Sequence, residues 1–115
     1  MSCQMQGMDP LPTSQMPWEE PPQGPFMRLL HNNNVEIVLA GHDHTYERFS
    51  PMTPENVPDP ARGLRLFVVG TGGRDLYNFT SVQPNSEIRY NQDFGVLRIV
   101  AKEGGYDWAF LNIVG

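Results

Sequence analysis

The run Val35-Glu36-Ile37-Val38-Leu39-Ala40 followed by Gly41-His42-Asp43-His44 limits this chain more than any other stretch. Mostly apolar residues with little alternation read as a buried strand, and Gly41 lets the backbone turn sharply where two imidazoles appear. The strand is expected to build the fold and the loop after it to carry chemistry.

The elements on either side extend that pattern. Residues 1–25 are rich in proline and methionine, have no usable period and read as an irregular arm with Trp18 as its large anchor. From Pro25, Phe26, Met27, Leu29 and Leu30 at helical spacings predict a short helix that stops at His31-Asn32-Asn33-Asn34, where Asn suits a left-handed C-cap. A helix feeding an apolar strand is half of an α/β unit. Ser50 to Pro60 carries too many prolines for a helix or ladder strand and reads as a connecting loop. Leu64 to Val69 reads as a second strand, stopped by Gly70-Thr71-Gly72-Gly73, and residues 74–92 read as polar and turn-rich. Two β-rich runs, 94–101 and 107–114, flank a glycine turn and predict a hairpin in which Trp108 and Phe110 share a face. The expected fold class is α/β, with one short helix, strands and a C-terminal β-hairpin; residues 26–115 form one small domain.

Charge and composition exclude several function classes. A net charge of −5 with no run of Lys or Arg argues against nucleic acid and against an anionic membrane surface as partners. No apolar run approaches the roughly 20 residues of a membrane span, and the N-terminus has neither the basic start nor the apolar core of a signal peptide. Cys3 alone makes no internal disulfide and reads as an incidental thiol. Asn78-Phe79-Thr80 fits the glycosylation sequon, a triplet that is common by chance.

His42 and His44, two apart, would project to the same side of an extended segment, and neutral imidazoles suit zinc, iron and manganese. The bland alternative is a pair of surface histidines. Their position beyond the C-terminal end of a strand, where open α/β sheets place ligands, favours metal. A hydrolytic metal site still wants more ligands, with a bridging carboxylate if two ions are held. Asp43 would face the other way and reads as a supporting or solvated group, while His31 reads as a helix-end residue. Gly70-Thr71-Gly72-Gly73 lacks the Lys-Ser/Thr ending of a phosphate loop and reads as a structural turn; Arg48 reads as paired with a nearby Glu or solvated.

Val38-Leu39-Ala40-Gly41-His42-Asp43-His44-Thr45-Tyr46-Glu47-Arg48-Phe49-Ser50-Pro51 resembles the C-terminal signature of the calcineurin-like metallophosphoesterases, closest to their purple acid phosphatase branch. The likeness extends to Phe67 through Gly73, to Phe94 through Leu97 and to Tyr106 through Phe110. It implies part of a metallophosphoesterase β-sandwich and a phosphoric ester hydrolase, acting on phosphomonoesters at a binuclear centre of Fe, Zn or Mn. His42 would ligate one metal and His44 the other. Full-length members are often secreted. The family's earlier elements, Asp-x-His, Gly-Asp-x-x-Asp, Gly-Asn-His-Glu and a further single histidine, have no counterpart in residues 1–25. The expectation is therefore a C-terminal portion, inactive alone, whose partner is a missing N-terminal half. The competing expectation is a non-catalytic β-rich module that binds metal weakly or not at all.

Overall fold

A computed structural model describes residues 23–115; the arm's Cys3 and Trp18 lie outside the described residues. Helix α1 spans Gln23–Asn32, with Pro25 in its first turn. Its end is closed by Asn34 at φ 61°, with the Asn34 N–H donating to the His31 carbonyl and the Val35 N–H to the Leu30 carbonyl, each at 3.1 Å. That is a Schellman closure, and Val35 and Leu30 stand where its apolar contact is made. Of the helix's four apolar residues, Met27 is buried and Leu30 packs on the core, whereas Phe26 and Leu29 face outward.

Six strands follow: β1 Ile37–Ala40, β2 Tyr46–Phe49, β3 Arg65–Val69, β4 Ser86–Tyr90, β5 Gly95–Lys102 and β6 Gly105–Asn112. The first four make one mixed sheet in the order β1-β3-β2-β4, and β5 and β6 make a separate two-stranded sheet. β3 lies parallel to β1, with Leu39 opposite Phe67, and antiparallel to β2, with Arg48 also opposite Phe67. Alternation along β3 divides the interior in two. Leu66 and Val68 join Met27, Phe49 and Met52 in a core beneath α1. Phe67 points the other way, against the hairpin, where it meets Trp108 edge-on at 5.8 Å. The hairpin's inner face adds Phe110, stacked on Tyr46 at 4.3 Å. Gly104, at φ 80°, supplies the left-handed residue of the two-residue turn between β5 and β6. One short helix on one face and a second sheet on the other make a small, partial β-sandwich.

The structure differs from the sequence reading at three strands. The run through β1 is not a buried strand: it is an edge strand, with Leu39 61% exposed, because the hairpin covers β2 and β3 but not β1's outer side. Tyr46 to Phe49, which carry no strand signal of their own and follow the histidine loop, form an inner strand of the sheet, its ends buried and its middle polar. Residues 74–92 contain β4, whose mostly exposed Ser-Glu-Ile-Arg-Tyr lacks an apolar signal because it forms the opposite edge. The proline-rich 50–60 stretch is a connecting loop as expected, although Met52 within it is fully buried and bridges to Leu64.

Candidate functional site

Between β1 and β2 the backbone does not stay extended. Asp43 N–H donates to the Gly41 carbonyl at 3.0 Å and Thr45 N–H to the Asp43 carbonyl at 2.8 Å, so two three-residue turns follow one another. The first is centred on His42 at φ 77°, and Gly41 itself is not in the left-handed region. The sharp turn expected of the glycine falls instead on the histidine, where it stores about 1–3 kcal/mol of backbone strain. The same-side argument for the two rings, which assumed an extended chain, does not apply here. His42 is exposed and His44 half-buried.

His44 is held from three directions by the loop after β3. Its Nδ1 lies 2.8 Å from the Asp75 carbonyl oxygen, its ring stacks on Tyr77 at 4.1 Å and 23°, and its own carbonyl accepts from the Tyr77 N–H at 2.9 Å. Tyr77 is fixed in turn by Asn91, whose Nδ2 donates to the Tyr77 carbonyl at 2.8 Å. A carbonyl only accepts, so Nδ1 carries a proton, and in the neutral ring Nε2 is then the nitrogen with the lone pair. A backbone carbonyl that sets the tautomer of an imidazole is the usual support behind a metal-binding histidine. Asp75 and Tyr77 gave no sequence signal for this role, because their approach to His44 depends on how the 70–85 loop folds back.

Gly70 explains how the two loops come together. A Cβ at this position would stand 2.0 Å from the Asp43 carbonyl oxygen, a distance no side chain tolerates, and the Gly70 N–H donates to Thr45 O at 3.0 Å. The structural-turn reading holds at Gly70. Next to it, Thr71 is buried and exchanges two hydrogen bonds with Gly95: the Thr71 Oγ1 donates to the Gly95 carbonyl at 2.9 Å and the Gly95 N–H donates to the Thr71 carbonyl at 3.0 Å. The hairpin is thereby tied to the loop that holds His44.

The remaining candidates lie elsewhere. Asp43 lines a separate cavity of about 200 Å³ with Thr45, Glu47 and Asn78, and neither histidine borders it. Burial pushes the Glu47 carboxyl up despite a hydrogen bond from the Ser86 hydroxyl at 2.6 Å and the nearby Arg89; the charge of Asp43 adds to the rise. Arg48 pairs not with Glu47 but with Glu87 at 2.7 Å, and its guanidinium lies 5.3 Å from the Trp108 ring centre. His31 sits in the last turn of α1, 3.9 Å from Asp59. Among the described residues, no three His, Cys, Asp or Glu side chains converge as a metal cluster. Two imidazoles on one strand-end loop, one of them with its tautomer set, fit ligand roles in a metal site but do not complete one.

Three curated plant proteins are similar in sequence to this chain. The chain is homologous to a segment of purple acid phosphatases. It is 35% identical over 85 residues to purple acid phosphatase 21 of Arabidopsis thaliana, covering 70% of this chain and 19% of that protein. It is 32% identical over 84 residues to the probable inactive purple acid phosphatase 1 of the same plant, covering 66% of this chain and 14% of the relative. Probable inactive purple acid phosphatase 27 matches at 29% over 84 residues. The chain thus spans less than a fifth of the length of these purple acid phosphatases. No protein-family model matches it, and no solved structure does.

Proposed function

We propose that this chain is the C-terminal metal-ligating segment of a purple acid phosphatase-like metallophosphoesterase, with His42 and His44 as terminal ligands to two different ions of Fe, Zn or Mn. The observation that carries the reading is the Asp75 carbonyl on His44 Nδ1, which leaves Nε2 as a lone-pair donor on a ring that Tyr77 holds still. When bound, such an ion pair supplies Lewis acidity toward water and toward the phosphoryl oxygens of a phosphomonoester. This chain's share is to hold two imidazoles at a strand end and to brace the second one; the water-positioning and bridging carboxylate groups belong to the portion absent from it. Calcineurin-like β-sandwich architecture and phosphate esters as substrates belong to the same proposal, supported by the homology and by the partial sandwich.

A second reading is a non-catalytic β-rich module with weak metal binding. It is favoured by the two-imidazole count among the described residues and by relatives that are themselves named probable inactive phosphatases. Titration with Zn²⁺ and Mn²⁺, followed by assay on a chromogenic phosphomonoester, separates the two. The first reading expects weak metal binding by the chain alone, lost in His44→Ala. It also expects turnover only when a separately produced phosphatase N-terminal portion is added. Metal affinity unchanged in both His42→Ala and His44→Ala overturns it, whereas metal binding without turnover in the mixture leaves the second reading standing.

A further inference from the structure

The metal reading leaves Asn78-Phe79-Thr80 unused, and this is the single Asn-x-Ser/Thr triplet in the sequence. The triplet lies in the loop between β3 and β4, in a stretch without regular secondary structure. Exposure alternates across it: Asn78 and Thr80 are exposed and Phe79 is half-buried, at the cavity that Asp43 and Glu47 also line. Asn78 Oδ1 accepts a long hydrogen bond of 3.5 Å from Asn91 Nδ2. Its own Nδ2, the atom that glycosylation would modify, donates to no group among the described residues.

We propose that Asn78 is the acceptor of an N-linked glycan. The donor is a lipid-pyrophosphate-linked oligosaccharide. Nδ2 forms the new bond to C1 of its first sugar, the C1–O bond breaks with its electron pair leaving on the lipid pyrophosphate, and one amide proton is lost to a base of the transferase. Attachment needs no rearrangement of the fold, since no hydrogen bond to Nδ2 among the described residues has to be broken. The proposal does not depend on metal binding.

The test expresses the full chain behind a cleavable secretion leader in eukaryotic cells and scores all leader-cleaved chain, secreted and cell-associated, before and after peptide-N-glycosidase F. The expected result is a one-glycan mobility shift that collapses on treatment, with Asn78 converted to Asp in the released peptide. Asn78→Gln and Thr80→Ala should each abolish the shift, and Thr80→Ser should retain it. Leader-cleaved wild-type chain that comigrates with Asn78→Gln overturns the proposal, as does a shift that survives in Asn78→Gln.

Discussion

His42 occupies a backbone conformation that β-carbon sterics disfavour, and it does so where Gly41 next to it could have taken the bend without cost. Strain of this kind persists only where the surroundings impose it, here the closely packed Gly70 and the return of the chain into β2. Replacing His42 by Gly should therefore raise the melting temperature by a few degrees, since relief of about 1–3 kcal/mol exceeds the 0.5–1 kcal/mol that glycine's extra unfolded-state freedom costs. Zn²⁺ affinity should fall in the same variant. Loss of stability in His42→Gly would show that the φ of 77° is unstrained. Tyr77→Ala should leave the fold intact and weaken Zn²⁺ binding by about tenfold, because His44 loses the ring it lies against while keeping the Asp75 carbonyl. Isothermal titration with and without the substitution reads this directly.

At the level of elements, β4 is attached to β2 through a register shift between Arg48 and Phe49. Ile88 faces Arg48 and Ser86 faces Phe49, so Glu87 is the extra residue. Its carboxylate accepts from both Arg48 and Arg65 at 2.7 Å, and the two guanidinium groups lie 5.3 and 4.6 Å from the Trp108 ring centre. Burial alone would raise the Glu87 pKa, but the hydrogen bonds and charges of the two arginines outweigh it and hold the carboxyl below its usual 4.5. A carboxyl lowered in the folded state contributes stability that is fully present above its unfolded pKa and lost as pH falls through the folded value. Glu87→Gln should accordingly cost on the order of 1 kcal/mol in urea unfolding at pH 7. The gap from wild type should close as the pH drops below about 4.5. A gap independent of pH would assign the effect to packing instead.

The same elements show what the sequence made legible. β1, β3 and the hairpin were readable because apolar β-formers outnumber everything else in them, and α1 because four apolar residues and an asparagine stop agree on one helix. β2 and β4 were not, since Glu47, Arg48, Glu87 and Arg89 earn their strand conformation from partners across the sheet rather than from local pattern. At the site, the histidines were visible from spacing beside a strand. Asp75, Tyr77 and the left-handed turn at His42 were hidden, because each depends on a second loop brought close through Gly70.

Across the whole molecule, the two edges of the four-stranded sheet are unlike. β4 presents Glu87 and Arg89, charges that discourage pairing with another strand, whereas β1 offers Ile-Val-Leu-Ala with no charge at all. Beside β1 runs a groove of about 550 Å³ lined by Leu39, Val69, Val96, Leu97 and Ile99, with Leu39 and Val96 each more than half exposed. An uncharged edge over an open apolar groove promotes self-association in a chain handled alone. Leu39→Lys should raise the concentration at which the protein aggregates, measured by light scattering, while changing the melting temperature by no more than a degree or two, because that side chain packs little in the folded chain. Equal aggregation in the variant would place the sticky surface elsewhere.

The clasp between Thr71 and Gly95 couples the start of the hairpin to the loop that carries Asp75 and Tyr77. When the β5–β6 ribbon lifts away from the sheet, the tether pulls on the turn that carries Asp75 and Tyr77, so solvent deuterons should enter at the Gly95 and Tyr77 amides at matching rates. Breathing of the far ribbon would then be felt as wobble of the His44 ring, and any ion seated on that ring would slow the exchange of both.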